Sequence, residues 1–483
     1  METLVNGIAY TQEKDWCLVR ERDQKRHFPI HKKAIESKKG LAPIPSIIPL
    51  SLNKEFVDPY NSYIRFYIES WSGGGQIHTL DGGYLSLIRN IVLKDKHGKE
   101  IDRCDNLHVL NTFLPRAIYG DTYIQDLDTP VTGWGTRNGS GLVQGEKKFV
   151  MIPLHHLVGL FRSSSLLPPH LMDGMEIWVY WSDPNEIFTQ TMNITAPATW
   201  TVYAPPSNLY GPDPFSRYSI TDLSIVMDSY VFNHSICDML NEEYKTKGLP
   251  IRYLSMSLDT TKVTDSDISV NNPLAIPIVK AYTNATKIIT TSRMFPAPTQ
   301  STSIDANYIA NVLPNLIMLY DTVNNKQVYQ EGDRDFMILN GRTYPRYPTN
   351  TKSEMVYHWK QTLGKNRYHL DPISTIFDAN VSKGPSYIRN CCRNVELSPN
   401  SNPNLQHESN HALSGTRIDG TNPIDINLTL QDTTDFIKTD SQSNDAAQVT
   451  DITSATNFFR MINNWVEHVR YVNITPSGNS VYI

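Results

Sequence analysis

The sequence predicts an all-β chain: two tandem eight-stranded antiparallel sandwiches with short inserted helices. Three observations lead there. Runs such as Met175–Trp181 are dense in Ile, Trp, Val and Tyr, which suit a pleated surface better than a helix. Charged residues are only 19% of the 483-residue chain while Pro numbers 30 and Tyr 25, the balance of a β protein with large loops and not of long Ala/Glu/Lys/Leu helices. The order strand, glycine-bearing turn, short helix, long loop, strand also occurs twice.

The elements follow in chain order. Residues 1–45 read as a basic N-terminal arm. Arg20 to Lys39 holds Arg20, Arg22, Lys25, Arg26, Lys32, Lys33, Lys38 and Lys39 against Glu21, Asp23 and Glu36, in a chain whose net charge is −5. A basic arm on an acidic body points to an anionic partner, and these eight side chains are the candidate contacts. Residues 46–235 form the first sandwich. Tyr63–Glu69 and Tyr84–Leu93 are strand candidates, and Asp95–Gly98 is a turn. A helix starts near Asp105 as its cap, with Leu107, Leu110, Phe113 and Leu114 as its stripe and Pro115 as its stop. In Lys148–Asp183 the prolines at both ends of a polar link (Arg162, Ser163 to Ser165, Pro168, Pro169) exclude one continuous helix, leaving strand, excursion, strand. Trp200–Ala204 and Leu223–Phe232 complete the half.

Residues 236–250 read as a connector helix. Asn233 or Ser235 caps it, Ile236, Met239, Leu240 and Tyr244 make one face, and Gly248 and Pro250 end it. Residues 251–483 form the second sandwich, with strands at Ala275–Thr291, Asn315–Tyr320, Phe336–Leu339, Ile424–Leu430 and Val466–Ile474. A helix from Ser353 is marked by the Thr351/Glu354 capping box and the stripe Met355, Trp359, Leu363. Asp105 to Glu176 and Ser353 to Ile424 are equally spaced, so the repeat is one domain long and not a solenoid. Eight antiparallel strands in two sheets, a jelly roll, is the usual form of such a sandwich.

Catalytic signals are sparse. Phosphate-loop, dinucleotide, nucleophile-elbow and HExxH patterns are absent. Cys17, Cys104, Cys237, Cys391 and Cys392 show no zinc spacing and read as reduced thiols. His155 and His156, placed on a strand, point to opposite faces and do not share a metal. His170, His407 and His411 are loop residues, and Asp173, Glu176 and Asp183 read as strand-end carboxylates. The loop aromatics Tyr119, Tyr123 and Trp134 read as packing under loops. The chain is therefore expected to be no enzyme, with no cofactor and no metal. METLVNGIAYTQEKDW carries no signal peptide, and no run reaches the ~20 apolar residues of a membrane span.

Three segments resemble one known family. MIPLHHLVGLFRSSSLLPPHLMDGMEIWVYW (Met151–Trp181), MDSYVFNHSICDMLNEEY (Met227–Tyr244) and ALSGTRIDGTNPIDINLTL (Ala412–Leu430) look, in order and spacing, like segments of double jelly-roll major capsid proteins. That family builds icosahedral double-stranded DNA viruses of the phycodnavirus-like, virophage and polinton-like groups. The resemblance covers about residues 46–483. The long polar stretch Asp432–Asn464 departs from it. The resemblance implies a pseudo-hexameric homotrimer, made in the host cytoplasm and located in the virion, that contacts neighbouring capsomers and minor capsid and penton proteins. For the N-terminal arm it implies one of three partners, packaged DNA, an acidic minor capsid protein or the face of a neighbouring capsomer, and it leaves membrane contact open. The loops Ile118–Gly145 and Pro296–Ile309 and the connector helix are the candidate subunit contacts. The alternative is a carbohydrate-binding β-sandwich, a viral receptor-binding or lectin-like protein with a Trp/Tyr-lined groove.

Overall fold

The structure is a computed structural model. It describes residues 19–31, 34–37, 44–52, 55–71, 77–79, 83–111, 145–163, 166–182, 188–195, 199–204, 217–263, 274–295, 316–323, 326–331, 336–339, 342–345, 392–396, 416–420, 424–430 and 459–482.

Eight of the described strands of the first half build its sandwich: β1 (Val19–His27), β2 (Ser46–Pro49), β3 (Phe56–Trp71), β4 (Ile88–Lys94), β5 (Glu100–Cys104), β6 (Lys147–Pro153), β7 (Glu176–Trp181) and β8 (Arg217–Phe232); Phe188–Thr195, Thr199–Ala204 and Ile77–Thr79 form a separate three-stranded sheet. The eight form two antiparallel sheets, ordered β1-β8-β3-β6, with the short strand Ile35–Ser37 also paired to β8, and β2-β7-β4-β5. Eight of the described strands of the second half match them: β9 (Leu249–Val263), β10 (Leu274–Pro277), β11 (Tyr282–Phe295), β12 (Leu316–Val323), β13 (Lys326–Glu331), β14 (Cys392–Glu396), β15 (Ile424–Leu430) and β16 (Phe459–Thr475); Thr416–Ile418 adds to β11, Gly478–Tyr482 to β16, and Phe336–Leu339 pairs with Arg342–Pro345. Their sheets run β9-β16-β11-β14 and β10-β15-β12-β13, the same order moved on by eight strands. The duplication read from element spacing is thus a duplication of topology, and each half is a jelly roll.

Side-chain alternation explains the pairing. In β7, Ile177, Val179 and Trp181 are buried while Glu176, Trp178 and Tyr180 are half-exposed, the period of two expected of a strand with one face on a core. Phe66 of β3 meets Trp181 edge to face at 5.5 Å across the gap between sheets, and Trp181 donates Nε1–H to Ser46 Oγ at 2.9 Å. Outside the core, Lys94 caps the Trp178 ring at 3.6 Å. The β4–β5 turn is fixed by Asp95, whose Oδ1 accepts the N–H groups of His97 and Lys99; Gly98 supplies the required φ of +79°.

Among the described residues the α-helices are α1 (Leu107–Leu110), α2 (Pro169–Met172) and α3 (His234–Thr246), each between two strands. Pro168 and Pro169 open α2, as a missing N–H is tolerated in a first turn. In α3, Ile236 and Leu240 pack with Phe56 and Phe232, whose rings meet at 4.8 Å. Gly248, at φ +78° and tight against Asn473, lets the chain leave α3 directly into β9.

The structure corrects several expectations. The first roll does not begin at residue 46. Its opening strand is β1, paired along its length with β8 from Val19↔Phe232 to His27↔Ile225. Arg20, Arg22, Lys25 and Arg26 therefore lie in the sandwich, not in a free arm. The sequence VRERDQKRH hides this because an edge strand keeps its place through backbone hydrogen bonds and tolerates charge at most positions. The connector helix is bounded by His234 and Thr246, and β9 has begun by Leu249. Met239 of its expected apolar face is 43% exposed. Of the strand expected at Tyr84–Leu93, residues from Ile88 on form β4, while its start lies in the 3-10 turn Gly83–Leu87. The helix near Asp105 is one turn long. Asn106, in left-handed conformation, precedes it, and the Asp105 carboxylate instead receives Arg103 Nε at 2.7 Å. The helix expected from Ser353, and Cys17, Cys391, His407 and His411, lie outside the described residues.

Candidate assembly surfaces and the joint between the rolls

The basic residues of β1 are already engaged. Arg22 Nη2 lies 2.7 Å from Asp228 Oδ2 and its guanidinium sits over Tyr230. Lys25 Nζ pairs with Glu55 at 2.5 Å, and Arg26 reaches Ser224 Oγ at 3.2 Å and Asp222 at 3.5 Å. Arg20 lies in β1; Lys32, Lys33, Lys38 and Lys39 lie outside the described residues. The structure brings Arg22 and Arg26 to one face of the β1-β8-β3-β6 sheet. That face also carries Arg65, stacked over Phe149 at 5.0 Å, and Tyr67, at 5.5 Å from the same ring. Phe149 is 38% exposed. The face is thus a mixed cationic and aromatic surface, partly neutralised by its own acids.

His155 and His156 are not on a strand. They close β6 in a 3-10 turn, Leu154–His156, so their rings lie side by side at 4.5 Å, and Tyr60 stacks on His155 at 4.3 Å. Sequence reading missed this because two adjacent histidines look alike on a strand and on a turn. Among the described residues no cluster of three or more His, Cys, Asp or Glu side chains could hold a metal. A cleft of about 310 Å³ lies between α3 and α2. His170 donates Nε2–H to Asn241 Oδ1 at 2.7 Å there and packs against Tyr244 at 4.3 Å; burial keeps its pKa below the usual histidine value. Asp173 does not act as a loose carboxylate: its Oδ1 accepts the N–H of Leu52.

The most elaborate polar site lies where the rolls meet, and no local motif announces it. Strand β5 of roll one rests on β9 and β16 of roll two. Asp102 of β5, only 1% exposed, accepts Ser255 Oγ–H at 2.5 Å and the backbone N–H groups of Leu160 and Arg103 at 2.9 Å each. Arg470 Nη1 lies 3.5 Å from the same carboxylate and donates to the carbonyl of Ile101 at 3.1 Å. Tyr253 donates to that carbonyl too, at 2.7 Å. Around this centre Trp465, fully buried, donates to Asp105 O at 3.0 Å. Asn479 Nδ2 reaches Asp95 at 3.0 Å, and Lys99 Nζ reaches Asn479 O at 2.7 Å. Burial pushes the Asp102 carboxyl above the usual range, against the pull of Arg470 and its hydrogen bonds. Burial likewise raises the Cys104 thiol to about 12, so it stays an inert core thiol at neutral pH. Apolar side chains of both rolls, from Ile101 and Leu160 to Ile251, Tyr253, Trp465 and Val472, share one continuous core.

No protein-family model and no curated protein matches the sequence. Solved structures match its fold over nearly the whole length. A quasi-atomic model of the PBCV-1 virus capsid matches at TM-score 0.50 and 10% identity, covering 97% of this chain and 99% of that one. The PBCV-1 protein VP54, fitted into a reconstruction of the virophage Sputnik, matches at 0.51 and 11%, over 97% and 99%. The Faustovirus major capsid protein matches at 0.51 and 8%, over 96% and 92%. The chain has the double jelly-roll fold of these capsid proteins.

Proposed function

We propose that the chain is the major capsid protein of an icosahedral double-stranded DNA virus, working as a pseudo-hexameric homotrimer in the virion shell. The observation that carries this reading is the doubled topology together with its packing. Two rolls of identical strand order sit side by side, one sheet of roll one (through β5) against the other sheet of roll two (through β9 and β16). A head-to-tail contact of this kind repeats around a closed ring, and three copies present six similar walls while keeping true threefold symmetry. Such a ring tiles a hexagonal lattice. The subunit contact must bury on the order of 2,000–5,000 Å² to be permanent. The candidate contacts are the surface of α3 and the loops Ile118–Gly145 and Pro296–Ile309, both of which fall mostly or wholly outside the described residues.

The fold supports a structural and not a catalytic role. Neighbouring capsomers and minor capsid and penton proteins are the partners this role requires. Any contact with packaged DNA falls to the basic residues outside β1, because Arg22, Lys25 and Arg26 already face acids. Such binding would be salt-dependent and indifferent to sequence. Native mass spectrometry with negative-stain imaging tests the reading. Trimers of hexagonal outline are expected; a strictly monomeric protein would overturn it.

A further inference from the structure

We propose that the buried cluster of Asp102, Arg470 and Ser255 is a positioning device, which fixes the angle between the two rolls and contributes little net stability. Its consequence for assembly rests on the homotrimer reading above.

The cluster is polar where most of the shared core is apolar. An ion pair removed from water costs desolvation that its own attraction rarely exceeds, and apolar replacements of similar volume are often neutral or stabilising. Here the costs are visible. Arg470 is only 10% exposed, and its Nε has no hydrogen-bond partner. Its Nη1 stands 3.5 Å from Asp102, long for a charge-assisted bond. The raised pKa of Asp102 agrees: burial outweighs Arg470 and all the donors.

What the cluster does well is direction. Asp102 is held from three elements at once: β5 through the Arg103 N–H, the turn Leu160–Arg162 through the Leu160 N–H, and β9 through Ser255. Arg470 adds β16 and ties the neighbouring Ile101 carbonyl, which Tyr253 also holds. Apolar surfaces slide over one another at little cost, whereas a carboxylate already held in roll one by the Arg103 and Leu160 N–H groups meets two directional donors from roll two, Ser255 on β9 and Arg470 on β16, and so favours one orientation. Gly159 shows how closely the orientation is set. A Cβ at this position would collide with the backbone carbonyl of Leu254 on β9, although the φ of −62° suits any residue. The approach of roll one to roll two therefore leaves no room for a methyl group. In a ring of six rolls a small error in this angle recurs at every chain and the ring does not close.

The test uses the full chain and four proteins: wild type, Asp102→Asn, the double variant Asp102→Leu with Arg470→Met, and Gly159→Ala. Thermal unfolding, X-ray scattering of the monomeric chain and native mass spectrometry are read on each. Asp102→Asn strands the Arg470 charge and lowers the unfolding midpoint by roughly 5–15 °C. The double variant is expected to unfold at or above the wild-type midpoint. Its scattering should nonetheless broaden in maximum dimension, and its trimer fraction should fall about tenfold or more. Gly159→Ala should give the same scattering change with the cluster intact. If the double variant unfolds as early as Asp102→Asn with unchanged scattering, the cluster is a stabiliser and the proposal is wrong. If it keeps its midpoint, scattering and trimers, the cluster positions nothing. Should wild type itself form no trimer, the homotrimer reading fails, and the scattering comparison still decides the role of the cluster.

Discussion

Strands β1 and β9 hold the same place in their rolls, each pairing with the last strand of its own half, yet their chemistry is opposite. β1 reads VRERDQKRH and meets solvent with Arg22 and Arg26; β9 reads LPIRYLSMSLDTTKV and buries Ile251, Tyr253, Ser255 and Met256. The difference is what lies on the sheet. β9 is covered by β5 of roll one, whereas the face of β1 is open in the single chain. Topology is thus set by backbone pairing and survives a complete change of side chains, while side-chain character records what covers each face.

Breaking the covered side should have the largest effect. Trp465→Ala removes the largest fully buried side chain among the described residues and its bond to Asp105, and should cost about 3–5 kcal/mol, read as a lower denaturant midpoint. Ile177→Ala, on a wall of roll one away from the joint, should cost about 2–5 kcal/mol. An effect well below that for Trp465→Ala would indicate that the joint is wetter than described.

The covered sheet also carries a pH dependence of its own. His468 of β16 is fully buried, with Nδ1 3.2 Å from Val466 O and its ring 4.8 Å from Tyr282. Burial first, and Arg470 and Lys280 after it, bring its pKa from 6.5 down to about 4; the Val466 carbonyl and Glu467 pull the other way. The folded state keeps the imidazole neutral while the unfolded chain takes up a proton below pH 6.5. The stability held by the neutral ring is therefore present above pH 6.5 and lost as pH falls towards 4, in total roughly 3 kcal/mol. His468→Gln should flatten the acid limb of a stability–pH curve over that window; an unchanged limb would assign it to other groups. His27 and His170, both lowered by burial, add to the limb in the same direction.

The smallest effect belongs to the open face. Arg22→Ala removes the exposed partner of the buried Asp228 carboxylate, and should lower the denaturant midpoint by less than Ile177→Ala does. A truncation meant to probe the N-terminal arm should stop before Val19, because removing residues 1–39 also removes β1 and leaves β8 with a bare edge.

Much of this architecture is legible in the residues. β7 and β15 announce themselves by β-branched and aromatic density and by period-two alternation, α3 by its apolar face and terminal glycine, and the Asp95–Gly98 turn by its composition. These signals are local, and local physics decides them. β1 has no such signal: its charged residues look like a solvated tail until β8, some 200 positions away, supplies hydrogen bonds. His155 and His156 read as strand residues on opposite faces and not as a turn, since helix and strand periods cannot be told apart over two residues.

The sequence by itself determined that the chain is all-β, that it is built twice over, and where most strands and the connector fall, because pleat period and turn chemistry act within a few residues. The tertiary structure alone decided that Val19–His27 belongs to roll one, that Arg22, Lys25 and Arg26 meet acids in the fold, and that Asp102 meets Arg470 across 368 positions. Those depend on which faces come together, and neither residue shows from its own neighbourhood which distant partner will balance its charge.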